Sequence, residues 1–143
     1  MNYKTWGLTD DCAKLILRLT VGILVLMHGI FKLQNPEAVD WISSLFSELG
    51  LPAFLAYLIY IGEVVAPVML IVGYKTREAA QLVVVTLVVA IGLVHSSQIF
   101  SINEMTGGWA IELQGLYLFG ALAIVGLGAG KYSVDAKKET PTV

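Results

Sequence analysis

The sequence predicts an all-α integral membrane protein: a four-helix transmembrane bundle with a short amphipathic interfacial helix between helices 1 and 2. Three observations carry this. The chain of 143 residues is 57% hydrophobic and only 14% charged, with a mean hydropathy of +0.76, against roughly 45–50% apolar and about 25% charged in soluble domains. Its apolar residues gather in four segments, each about the 20 residues that a transmembrane helix needs. Between them lie short polar stretches rich in Gly, Pro and charge. The domain reading is a cytoplasmic N-terminus over 1–13, a transmembrane domain over 14–130 and a cytoplasmic tail over 131–143.

Helix 1 is expected over about 14–33. Thr9, Asp10 and Asp11 precede it, as a helix N-terminus favours. Lys4 before an apolar run resembles a signal peptide, but the run contains Arg18 and has no small-residue cleavage site, so a retained helix is expected. Arg18, Gly22, Gly29 and Lys32 share one face, with His28 at its edge. Glycines on such a face let a neighbouring helix approach closely.

The stretch over about 36–49 alternates differently. Ala38, Trp41, Ile42, Leu45, Phe46 and Leu49 form an apolar stripe opposite Glu37, Asp40, Ser43, Ser44, Ser47 and Glu48. Asn35 can cap it, Pro36 suits its first turn and Gly50 its stop. It is too polar to span. It reads as a helix on the membrane surface, or equally as a lid on the bundle.

Helix 2 is expected over about 51–73 with Glu63 near its centre, the residue on which the functional question turns. A carboxyl group at mid-membrane is costly and faces a partner or a wet cavity. Pro67, four residues later, disturbs the helical hydrogen bond of the Glu63 carbonyl, so a local kink is expected there. Helix 3 is expected over about 77–100 and contains His95; helix 4 over about 108–130 opens near Glu112. The residues beyond Asp135 are expected to be disordered.

Four spans place both termini and the loop between helices 2 and 3 on one side. That side carries Lys4, Lys14, Lys75, Arg77, Lys131, Lys137 and Lys138, and the other only Lys32, so the positive-inside rule puts the termini in the cytoplasm. Depth then gathers His28, Lys32, Glu63, His95 and Glu112 in the middle and outer half of the bundle. Arg18 lies one turn inside the cytoplasmic edge, where it either reaches toward Glu63 or snorkels to headgroups. The candidate polar cavity is therefore Arg18, His28, Lys32, Glu63, His95 and Glu112, with scattered structural pairs as the alternative. Two histidines and a carboxylate can bind metal or haem, donate to a quinone carbonyl or shuttle protons; the reading favours no metal. With one cysteine, Cys12, the chain has no intramolecular disulfide and no CxxC pair. No basic patch interleaved with aromatics points to nucleic acid.

Certain segments carry a family resemblance. RLTVGILVLMHGIFKL in helix 1, GEVVAPVMLIVGYKTREAA across helices 2 and 3, His95, WAIELQG opening helix 4, and the closing GLGAGKYSVD together resemble the DoxX family of small bacterial membrane proteins. The family's closing segment usually reads G-P-G-[KR]-[YWF]-S-[LV]-D; here Ala129 stands where Pro is common. The resemblance implies a four-helix bundle in the bacterial inner membrane and association with redox systems. Its relatives are linked to thiosulfate:quinone oxidoreductase and to membrane complexes handling thiol and oxidative stress. It also implies roles for Arg18, Lys32, Glu63, Arg77, His95 and Glu112, which match the family's polar positions. The function expected is a membrane subunit binding a quinone or similar lipid-soluble molecule. A soluble oxidoreductase or sulfurtransferase partner would carry the redox centre, since the chain has no flavin, haem or iron–sulfur signature. A homo-oligomer is also compatible. The competing readings are a small-solute or proton transporter and a non-catalytic anchor for a soluble enzyme.

Overall fold

The computed structural model describes residues 8–138. Helix α1 spans Asp10–Gln34, and the Thr9 hydroxyl accepts from the Cys12 amide at its start. Helix α2 spans Glu37–Glu48. A 3₁₀ turn over Ala53–Leu58, a π turn over Ile61–Val65 and helix α3 over Ala66–Val72 together make the second apolar segment. Helix α4 spans Thr76–Val94, α5 Glu112–Leu127, and α6 Val134–Lys138. Among the described residues no strand forms; an isolated bridge joins Ile102 to Trp109 in the loop before α5.

Among the described residues three segments are long and apolar enough to cross a membrane: Asp10–Gln34, Ala53–Val72 and Thr76–Val94. The α5 helix is apolar but has 16 residues, about 24 Å at about 1.5 Å per residue. It is thus shorter than the helix expected over 108–130, because residues 99–111 are a loop and Gly128, at φ 76° and ψ −165°, ends it. Similarly, α4 stops at Val94 instead of near 100, with His95 as its C-cap at φ −117°. The expected disorder beyond Asp135 gives way to α6 as far as Lys138; the last residues lie outside the described range.

The packing follows the residues. Val21 and Val25 of α1, Leu70 of α3, Val83 of α4, and Ala121 and Ile124 of α5 form the shared core. Outside it, Val85, Leu116 and Phe119 are 60%, 69% and 62% exposed, so the bundle is apolar on both its inner and its outer surfaces. A helix apolar all round belongs in a membrane or a large core, and a chain this short offers no large core.

Two local features position the site. The first is the π turn. Pro67 has no N–H to return to the Glu63 carbonyl, and the backbone widens so that the Ala66 N–H reaches Ile61. The kink expected beside the acid therefore takes the form of a wider turn, a device common at functional sites. Gly29 of α1 packs directly on this turn: a Cβ there would overlap the Glu63 carbonyl. The second is α2. Val39 is 1% exposed, and Ser43 Oγ donates to the Ala53 carbonyl at 3.3 Å. Helix α2 thus packs on the second apolar segment, as a lid would, with Trp41 left 52% exposed. Asn35, expected to cap α2, instead ends α1, its side-chain amide donating to Phe31 O at 2.8 Å. Gly50 stops the segment at φ 73°, as expected.

Candidate functional site

A cavity of about 190 Å³ lies between α1, the π turn, α4 and α5, with α2 above it. Its polar lining is His28, Lys32, Glu63, His95, Gln114 and Tyr117. Lys32 Nζ and Glu63 Oε2 form an ion pair at 2.6 Å, with side chains only 18% and 12% exposed. Lys32 sits in the last turn of α1, and Tyr60 donates to its carbonyl at 3.2 Å. The mid-span carboxylate is thus held by the one cation from the opposite end of α1, which explains how a charged group persists in an apolar bundle.

The imidazole of His95 is fixed on both sides. Its Nδ1 lies 3.1 Å from Gln98 Oε1 and its Nε2 lies 3.3 Å from Gln114 Nε2. An amide NH₂ donates and an amide oxygen accepts, so the pair fits the neutral tautomer with its proton on Nδ1. His28 packs edge-on to Tyr117, ring centroids 5.8 Å apart at 70°. Among the described residues, no group of three His, Cys, Asp or Glu side chains is placed to hold a metal ion.

Four of the six residues expected in the cavity are its lining: His28, Lys32, Glu63 and His95. Arg18 is not. It is 1% exposed and lies at the other end of α1, where it donates to Ala129 O at 2.7 Å and Tyr132 O at 2.5 Å. Neither Glu63 nor lipid headgroups hold it; the closing segment does, folding back over the turn before α4 as the sequence did not suggest. Glu112 is exposed and lies beside Gly108, outside the cavity. The inward face of α5 is instead that of Gln114, Tyr117, Ala121 and Ile124. Glu112 and Gln114 are about 200° apart at about 100° per residue, so Glu112 lies on the face opposite the cavity. The missed residues Gln114 and Tyr117 share a helical face with Ala121, a weak signal in a helix where nearly every position is apolar. Trp41 and Thr86 also line the cavity, and the remaining walls are apolar.

The closing segment is a second ordered cluster. Asp135 accepts from the Lys75 amide at 2.8 Å, the Thr76 amide at 2.9 Å and the Thr76 hydroxyl at 2.8 Å, while its own amide donates to Gly73 O at 2.9 Å. This carboxylate caps the start of α4 and holds Lys75 at φ 44°, a left-handed conformation unfavourable for a residue with a Cβ. Arg77 donates to the Val125 and Gly126 carbonyls at the end of α5, as a basic side chain near a helix C-terminus can.

The sequence model of DoxX matches residues 13–96, more than half of the chain and all of α1 to α4 apart from the first turn. The chain belongs to the DoxX family. The match takes in Arg18, His28, Lys32, Glu63 and His95 and stops before Gln114 and Tyr117. A curated DoxX-like relative from Bacillus subtilis (strain 168), named "Putative oxidoreductase CatD", is 36% identical over 81 residues. That alignment takes in 57% of this chain, and the chain spans 58% of the relative's length. No solved structure matches the chain.

Proposed function

We infer that this DoxX protein is the membrane subunit of a redox system and binds the head of a quinone, or of a similar lipid-soluble carbonyl compound, in the cavity around Glu63. In this reading four helices, α5 included, span the bacterial inner membrane, with both termini cytoplasmic. A soluble oxidoreductase or sulfurtransferase partner supplies the redox centre. The relative's oxidoreductase name supports the redox assignment.

One observation carries the ligand: an apolar bundle gathers Lys32, Gln114 and Tyr117, all with N–H or O–H groups, around a single cavity of about 190 Å³, with the His95 ring holding the Gln114 amide in place. Carbonyl oxygens are acceptors only, and donors converging from separate helices suit them. The Lys32–Glu63 pair supplies a cation and a carboxylate side by side, able to give and take a proton at a bound oxygen. A quinone bound there would supply the two-electron chemistry, while these residues orient its head and keep it away from lipid and bulk water.

The chain has two histidines, and both line the cavity, so imidazole resonances report on it directly. Titrating the protein in nanodiscs with a ubiquinone or menaquinone analogue should shift both. His95→Ala should fold normally and bind about 1–3 kcal/mol more weakly, the cost of unpairing a buried polar group. Equal affinities for wild type, His95→Ala and Glu63→Gln would remove this site and leave the anchor reading in its place.

A further inference from the structure

A second cavity of about 240 Å³ adjoins the first. The two share Ile42, Ile59, Thr86, Ala90 and Val94 in their walls, so only these side chains stand between them. Their chemistries differ. The inner chamber carries the ion pair and the histidines; the outer has Thr86 as its one polar side chain among aliphatic and aromatic neighbours. Its roof is Ile42 and Phe46 of α2, and its two rims are Leu58 on the 3₁₀ turn and Val85 with Val89 on α4. Those rims are 52%, 60% and 43% exposed and look outward from the bundle side, where lipid lies in a membrane-embedded protein.

The backbone accounts for the gap. Residues Ala53–Leu58 form a 3₁₀ turn and Ile61–Val65 a π turn, so the upper half of the second segment does not run as a straight helix along α4. It leans on α2 instead, tied by Ser43 to Ala53. The space between it and α4 is the outer chamber.

We propose that this chamber is a lateral portal. The ligand comes sideways from the bilayer between Leu58 and Val89, its polar head passes Thr86 and Ala90 into the inner chamber, and its prenyl or alkyl tail stays in the outer one. This rests on the cavity reading above and adds to it the shape of the ligand and its route. Size supports it: each chamber alone falls below the roughly 300–1,000 Å³ of small-molecule sites. The inner one suits a single ring, and the two together suit a ring with the first part of its tail. Charge supports it too. A ligand arriving through aliphatic walls loses no hydrogen bonds until it meets the donors at the end.

The test uses the full chain in nanodiscs and two probes. One is a benzoquinone without a tail; the other bears a decyl tail ending in a diazirine. Both should shift the histidine resonances of the wild type, and light should attach the tailed probe to residues 55–58 and 85–93. Leu58→Trp and Val89→Trp, both at exposed rims outside the inner chamber, should lower that adduct yield about tenfold, an occupancy change of about 1.4 kcal/mol, while the tail-less probe still shifts the histidines. Adducts confined to the outer face of α5 at Leu116 and Phe119, or yields unchanged in both variants, overturn the portal and leave the inner cavity standing. Histidine resonances silent to both probes in the wild type overturn the cavity reading, and the portal with it.

Discussion

Replacing Arg18 by Met removes the guanidinium from a fully buried position and keeps most of its stem. Two hydrogen bonds from a charged donor go with it, to Ala129 O and Tyr132 O, each contributing about 1.5–3 kcal/mol. Part of that loss is offset. Arg18 Nε is buried without a hydrogen-bond partner, and such a group costs about 1–3 kcal/mol. The net effect is about 2–3 kcal/mol on the docking of the closing segment, roughly a 30- to 140-fold change in its opening equilibrium. Global unfolding is a poor readout, because swapping a desolvated charge for an apolar side chain can be neutral overall. Amide exchange is local and resolves it. The Asp135 amide bonded to Gly73 O, and the Lys75 and Thr76 amides bonded to the Asp135 carboxylate, should all lose protection by that factor together. Arg18→Lys keeps a charge but not the fork that bridges two carbonyls, and should fall between. Protection within about threefold of wild type at all three amides in Arg18→Met would refute the reasoning.

Lys32→Met strands the Glu63 carboxylate and should destabilise the protein by about 2–4 kcal/mol in thermal unfolding, with much of the loss recovered in Lys32→Met/Glu63→Leu, since removing both partners leaves no unpaired charge. Gly29→Ala forces a methyl against the Glu63 backbone and should cost about 3 kcal/mol, whereas Gly92→Ala, which meets nothing within 4 Å, should be neutral or slightly stabilising; denaturation of the two side by side checks the contrast. In a Cys12→Ser background, cysteines at Lys75 and Lys131 should be labelled only from the cytoplasmic side. Labelling of both from the periplasm would invert the topology.

The helices were legible because lipid-facing segments announce themselves by length and hydropathy, and the Glu63 site was legible because a mid-span carboxylate demands a partner. The identity of that partner was not. Arg18 and Lys32 lie on one face of α1, and the level at which the second segment packs on it, Glu63 beside Gly29 and Gly73 beside Arg18, gives Glu63 to Lys32 and leaves Arg18 to the closing segment. The Arg18 contact lies 111 residues away, where local periodicity says nothing. Helix α5 misled for a different reason. In soluble helices polar residues mark the outer face; here the outer face, with Leu116 and Phe119, is apolar too, so no polar contrast told the inward side from the outward one. Pro67 did announce a distortion, but whether the backbone bends or widens depends on what packs against it, here Gly29.

The bond from Arg18 to Ala129 crosses 111 residues of sequence. At about 5–20 residues per second of synthesis, roughly 6–22 s pass between making the cation and making its acceptor. Through that interval the guanidinium lacks the carbonyls that hold it in the finished fold, and its stem is long enough to carry the charge toward a polar surface. The turn before α4 waits as well, since Asp135 is made later still. Insertion of the spans and completion of the fold are therefore separate events in the life of the chain. A chain that ends just before Ala129 has helices α1 to α5 but lacks the acceptors of Arg18 and the carboxylate that caps α4.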